Sequence, residues 1–295
     1  GAVGRMVVKT FLRYIMVGAQ EGRQPHPLFD PVYYEQNLSR HGVPSNGRDL
    51  MITFLAMGTE SQISPHPLFD MSYYYNTYQE VSQFGLNALV HYIRYGSRER
   101  RRPHILFDQD YYEAGIGTCI PEDINPLIHY LDVGSRYGVD THPLFDSLYY
   151  AKSVGKEFSW ASALTHYLSV PAEQRGAPHP LFDGEWYRRR QGGTITMCTE
   201  LEHYLKEGSH GRENPHPSFD GRAYLNENAE VAALGVDPLV HYVKYGAWEN
   251  RKIPGFDEVA YRRRAKLKKK DGLNLFVHYL KYEYAQRAVR EYALV

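Results

Sequence analysis

The chain has 295 residues, 34 basic against 34 acidic side chains, and a formal net charge of +0. That balance gives no global field for drawing in nucleic acid or an anionic membrane. No stretch reaches the roughly 20 apolar residues of a membrane span.

In chain order, the first predicted element is a helix over residues 6–18, an orphan that carries the second motif described below without the first. It reads as a cut repeat, or as one attached to something upstream. From there one pattern recurs. Phe-Asp-x-x-x-Tyr occurs seven times, 37 to 40 residues apart, at Asp30, Asp70, Asp108, Asp146, Asp183, Asp220 and Asp257. These aspartates number repeats 1 to 7. A period in this range denotes stacked helical units, not one globular core. Asp is a preferred N-cap and favours the positive end of a helix. The Phe before it and the Tyr four residues after it (Tyr34, Tyr74, Tyr112, Tyr150, Tyr187, Tyr224, Tyr261) are the two halves of a hydrophobic staple. Each repeat is therefore expected to open with a leading helix.

A second motif, Leu-x-His-Tyr-Leu-x-x-Gly, predicts a trailing helix of about two turns. It centres on His91, His129, His166, His203, His241 and His278, with Arg13 and Thr53 in the earlier copies. Four residues before stand Asp49, Asn87, Asn125, Ser162, Thr199, Asp237 and Asn274, all N-cap types. Gly18, Gly58, Gly96, Gly134, Gly208 and Gly246 follow the His position by five residues and read as glycines just past the helix end. Helices this short need burial against neighbours. The connector Pro-His-Pro-Leu-Phe-Asp, as in residues 25–30, reads as an extended, polyproline-like run. The Asp-to-His distance varies from 20 to 23 residues, so residues 115–123, 155–160 and 191–197 are the first places to look for a partner. The pattern closes with a predicted capping helix over 274–292. The expectation is an all-α chain, an αα-solenoid of about seven two-helix repeats forming a single array over residues 1–295.

Fourteen histidines raise the question of metal. Twelve fall in two columns, the trailing-helix one and His26, His66, His104, His142, His179 and His216. A column present in every repeat reads as a packing device, each imidazole bonding a backbone carbonyl or the neighbouring unit. No Cys/His spacing suits structural zinc. Asp108-Gln109-Asp110 looks like a metal-binding Asp-x-Asp, yet its first Asp is already the N-cap. No phosphate loop or nucleophile elbow occurs, so no enzyme, cofactor or metal is predicted. Cys119 and Cys198 read as free thiols, which favours a reducing compartment. The chain is placed in the cytoplasm or at the inner-membrane periphery, with secretion left open.

Candidate partner-binding residues are those that leave the repeat pattern. Arg98 with Arg100, Arg101 and Arg102 forms one basic cluster, and Arg188, Arg189 and Arg190 a second. Arg262, Arg263, Arg264, Lys266, Lys268, Lys269 and Lys270 form the densest, suited to an acidic glycan, a phospholipid surface or nucleic acid. Among the 26 tyrosines, Tyr75, Tyr78, Tyr95, Tyr137 and Tyr245 lie outside the columns and read as contact surfaces, with Trp160 in a variable segment.

Residues 224–246 begin Tyr-Leu-Asn-Glu-Asn-Ala-Glu-Val-Ala-Ala-Leu-Gly-Val-Asp-Pro-Leu-Val-His-Tyr. This resembles a bacterial repeat of the form Tyr-Leu-x-x-Asn-Pro-Asp-Val-Ala-x-x-Gly-x-Asn-Pro-Leu-x-His-Tyr-Leu-x-x-Gly. Such repeats occur beside glycosyltransferase domains of surface-polysaccharide proteins and in some large secreted calcium-binding proteins. The resemblance covers residues 9–283 and departs from the family in the Asn-Pro-Asp-Val segment, kept best at 226–235. It implies a non-catalytic scaffold or interaction module in polysaccharide biosynthesis, with a protein partner or an acidic polysaccharide as its ligand and no specific nucleic acid. Two alternatives stay open: an acceptor-binding fragment of a larger glycosyltransferase, and a self-associating structural repeat protein.

Overall fold

A computed structural model describes residues 25–44, 49–58, 61–155, 162–209, 213–267, 274–280 and 282. Among these the fold is all-α, with sixteen α-helices. Repeat 1 holds α1 (Pro31–Arg40) and α2 (Leu50–Met57); repeat 2 holds α3 (Met71–Thr77), α4 (Gln79–Gln83) and α5 (Ala88–His91). Repeat 3 holds α6 (Gln109–Ile116) and α7 (Pro126–Asp132); repeat 4 holds α8 (Ser147–Ser153) and α9 (Ala163–Ser169). Repeat 5 holds α10 (Gly184–Arg190) and α11 (Glu200–His203); repeat 6 holds α12 (Gly221–Glu227), α13 (Ala229–Ala233) and α14 (Pro238–His241). Repeat 7 holds α15 (Glu258–Arg264) and α16 (Leu275–Tyr279). The chain divides into two compact units, residues 1–141 with 159–169 and residues 142–158 with 170–295. The expected helix over 6–18, and the end of the expected capping helix beyond 282, lie outside the described residues.

Every leading helix starts as its motif demands. The Asp side chain accepts the amide three residues on, from Tyr33, Tyr73, Tyr111, Tyr149, Trp186, Ala223 and Ala260, at 2.8–3.1 Å. The Phe and Tyr rings of all seven staples sit 5.4–5.9 Å apart between centroids. The seven tyrosines are almost completely buried. Trailing helices are capped at the predicted positions, with a full capping box at Thr199 and Glu202.

Two local expectations are corrected. The Pro-His-Pro-Leu-Phe connector is a tight turn instead of an extended run. The Phe amide closes it onto the His carbonyl at 2.9–3.1 Å in the six copies that carry the His. An internal acceptor, the His side chain, pulls the chain round where proline alone would leave it extended. The turn then places the following Asp amide against the next repeat. Asp30 donates to the Pro65 carbonyl, Asp70 to Pro103 and Asp108 to Thr141 in the first unit; Asp146 donates to Pro178 and Asp183 to Pro215 in the second. These backbone rungs tie successive turns together.

The second correction concerns the glycines. Gly58 does end its helix with φ of 59°, but Gly96, Gly208 and Gly246 close a π-helical turn that continues the trailing helix, over Tyr92–Gly96, Tyr204–Gly208 and Tyr242–Gly246. None of these three has a left-handed backbone. A Cβ on Gly96 would instead overlap the hydroxyl of Tyr74, and one on Gly208 or Gly246 would come within 2.5 Å of the Tyr187 or Tyr224 hydroxyl. At Gly96, Gly134, Gly208 and Gly246 the glycine admits the leading-helix tyrosine, whereas Gly58 has nothing within 4 Å of a Cβ.

Candidate partner-binding surfaces

Histidines of both columns bond groups of their own repeats. In the turn column, Nδ1 of His26, His66, His104, His142, His179 and His216 accepts the amide two residues on, at 3.0–3.1 Å. A ring nitrogen that accepts an amide must be unprotonated. Burial reinforces this, drawing His66 down to about 4, with Asp30 opposing and His26 and His104 adding to the effect. It draws His216 down to about 3, helped by His179. In the trailing column, Nδ1 of His91, His129, His203, His241 and His278 meets the staple hydroxyl of Tyr74, Tyr112, Tyr187, Tyr224 and Tyr261 at 2.7–3.0 Å. The partner is therefore neither a carbonyl nor the next repeat, as the sequence suggested, but the phenol seventeen or sixteen residues earlier. Repeat 1, with Thr53 in the His place, offers Tyr34 only the Met57 sulfur at 3.5 Å. The tyrosine of the His-Tyr dipeptide looks outward along the stack. Tyr130 bonds Ser162 at 2.6 Å, Tyr204 bonds Asp237 at 2.8 Å and Tyr242 bonds Asn274 at 3.1 Å, each the cap of the next trailing helix.

The predicted contact residues fare unequally. Tyr75 is buried, its hydroxyl donating to the Leu86 carbonyl and accepting the Ala88 amide. Tyr78 accepts the Arg102 amide and lies under the Arg101 guanidinium, 4.7 Å from the ring centroid. Tyr75 thus builds the core of repeat 2, while Tyr78 is half-buried. Tyr137 is 80 % exposed, and Tyr95 and Tyr245 are half exposed. Trp160, Lys268, Lys269 and Lys270 lie outside the described residues.

The first basic cluster is largely neutralised. Arg100 pairs with Asp110 and Glu113, Arg101 with Glu80 and Glu99, and Arg102 with Asp108. Asp108 and Asp110, the Asp-x-Asp of the sequence, thus serve as a cap and an ion-pair partner. In the second cluster, Arg188 pairs with the buried Glu200, which Arg175 also holds at 3.0 Å; Arg189 pairs with Glu185, and Arg190 stacks over Trp186. Arg262, Arg263 and Arg264 form the last turn of α15, where the helix dipole favours cations. Arg264 lies over the Tyr261 ring, while Arg263 and Lys266 are exposed. Neither Cys119 nor Cys198 is in a disulfide.

Sequence reasoning missed one constellation. Glu80, Glu99 and Arg101 form a clasp in repeat 2, and Glu230, Glu249 and Arg251 form the same clasp in repeat 6. Each member stands at the same offset from its repeat's Asp, at 10, 29 and 31 residues, and the His and exposed Tyr recur at 21 and 25. Aligning repeats 2 and 6 on those columns would have found it. No family model, curated protein or solved structure matches the chain.

Proposed function

We propose that this chain is a non-catalytic scaffold of helical repeats, accessory to the assembly of a bacterial surface polysaccharide, that engages a partner enzyme or its glycan product. One observation carries the scaffold reading. The repeated Asp, His and Tyr side chains cap helices, close turns and bridge helices within and between repeats. What varies between repeats is then the surface available for recognition. No described helix is long and apolar enough to cross a membrane. The polysaccharide setting is supported by the resemblance of residues 9–283 to repeats that accompany glycosyltransferases. The cations of α15 supply a charged edge for an anionic glycan or protein.

The test is affinity capture on the immobilised chain from native lysate, with bound protein and carbohydrate both identified. Recovery of a glycosyltransferase or a defined polysaccharide that elutes with salt is the expected result. Recovery of the chain's own copies alone would overturn the reading in favour of a self-associating structural protein.

A further inference from the structure

Repeats 2 and 6 carry the same unassigned polar constellation, one in each compact unit. At its base lies an imidazole. His91 is 9 % exposed and His241 8 %. The Tyr74 or Tyr224 hydroxyl takes Nδ1, and no group among the described residues bonds Nε2, whose edge remains open to solvent. The clasp is held rigid. Arg101 bridges Glu80 and Glu99, and Arg251 bridges Glu230, Glu249 and the Asn228 amide oxygen at 2.6 Å. Next to the imidazole stands a half-exposed ring, Tyr95 or Tyr245, with centroids 5.7 and 5.6 Å from it, and the same tyrosine's carbonyl accepts the Glu99 or Glu249 amide. The clasp acts directly on the histidine. Burial lowers His91, the Arg101 charge lowers it further, and Glu99 and Glu80 oppose; His241 behaves identically with Arg251, Glu249 and Glu230. In repeats 3 and 5 the ring position holds Val133 and Glu207.

The chemistry of the ligand follows from these groups. One guanidinium, two carboxylates and a neutral imidazole sum to one negative charge in repeat 2. In repeat 6 the Lys244 ammonium, 5.8 Å from the Tyr245 ring centroid, brings the sum to zero. Neither site therefore has the net positive charge that draws phosphates and uronates. The clasp fixes its carboxylates without cost at binding, Arg101 and Arg251 holding Oε2 of Glu99 and Glu249 and leaving their Oε1 to accept from a hydroxyl. The tyrosine offers a flat apolar face beside them. A neutral hexopyranose presents a C–H face on one side of a ring of hydroxyls, and so complements both.

We propose that His91, Tyr95, Glu80, Glu99 and Arg101, and likewise His241, Tyr245, Glu230, Glu249 and Arg251, form two corresponding subsites for neutral hexopyranosyl units. The proposal deepens the scaffold reading by naming what the surface holds, and rests on it. Repeat 6 has an added ring: Trp248, whose amide bonds the Tyr245 carbonyl, is 84 % exposed. Repeat 6 is accordingly the tighter subsite.

Saturation-transfer NMR and calorimetry on the full chain test this, using the methyl glycosides of glucose, galactose and mannose as probes, with glucuronate and a lysine amide as charged controls. At least one neutral glycoside binds at two sites. Tyr95→Ala removes the weaker and Tyr245→Ala weakens the tighter about tenfold, while Tyr→Phe at either position preserves binding and melting is unchanged. Trp248→Ala affects the repeat 6 site alone. No glycoside binding tighter than about 10 mM, binding indifferent to both alanine variants, or binding of the lysine amide alone overturns the assignment. Lysate capture repeated with the Tyr95→Ala/Tyr245→Ala chain separates the two claims: a glycosyltransferase still recovered leaves the scaffold standing even where the subsites fall.

Discussion

Gly96→Ala is the sharpest test of why the glycine column exists. In an ordinary helix the change would gain about 0.5–1 kcal/mol by restricting the unfolded chain. Here the new methyl would overlap the Tyr74 hydroxyl oxygen, with the Tyr74 Cζ and the Tyr92 ring next at 3.3 Å. Overpacking of this kind costs about 1–3 kcal/mol, so the net change is a loss. Tyr74→Phe alone forfeits the bond to His91, worth about 1 kcal/mol. Combined, Gly96→Ala/Tyr74→Phe should recover about 1–2 kcal/mol relative to the sum of the single changes, because the colliding atom is gone. Gly134 is the internal control. There a Cβ would meet two Tyr112 ring carbons at 2.6 Å as well as the hydroxyl, so Tyr112→Phe should not rescue Gly134→Ala. Urea denaturation of the four single and two double variants reads these differences. If Gly96→Ala proved neutral, or Tyr74→Phe failed to rescue it, the steric account would be refuted and a helix-terminating role restored.

Three further outcomes are expected. His66 is held near pH 4 by burial against an ordinary value of 6.5. Its contribution is present above pH 6.5 and is lost as the pH falls from there through about 4, amounting to about 3 kcal/mol. Melting followed from pH 7.5 to 4 should show this decline, and His66→Asn, whose side-chain oxygen can take over the turn amide, should flatten it. Tyr150→Ala should cost about 3–5 kcal/mol, since the ring is completely buried; an unaltered melting transition would remove that tyrosine from the core. Arg263→Gln with Lys266→Gln should leave melting unchanged, both being exposed. It should weaken capture of an anionic partner at low salt and make little difference at high salt, whereas partner loss indifferent to salt would exclude those cations.

What the sequence disclosed is what lies within a turn of helix. The Asp caps and Phe–Tyr staples act between residues three to five apart, so spacing alone specified them, and all seven form. The trailing caps were legible for the same reason. The glycine column was found but misread, because the atom that requires Gly96 belongs to Tyr74, 22 residues earlier, and no local pattern reports that approach. The turns were misread because prolines alone favour extension, and only the placed imidazole of His26 or His66 reveals the competing amide bond. Tyr75 looked free because it follows a column residue, yet Leu86 and Ala88 fold back over its hydroxyl. The clasps of repeats 2 and 6 join groups 21 residues apart, such as Glu80 and Arg101, so they emerge only when one copy is laid on another.

The rungs between turns have an evolutionary consequence. Both ends of each rung are main chain, an aspartate amide and a carbonyl supplied by Pro65, Pro103, Pro178 or Pro215, or by Thr141 with no change in the bond. The rung itself therefore imposes no side-chain identity on the incoming copy beyond the capacity to turn. The remaining demand across the junction is a cap able to bond the preceding repeat's tyrosine, met by Ser162, Asp237 or Asn274. Recombination between copies can insert, delete or exchange whole modules with the seam intact, and each exchanged module carries its own surface. Length and recognition can then diversify separately: the seam preserves the stack, while the segments between Asp and His accumulate difference.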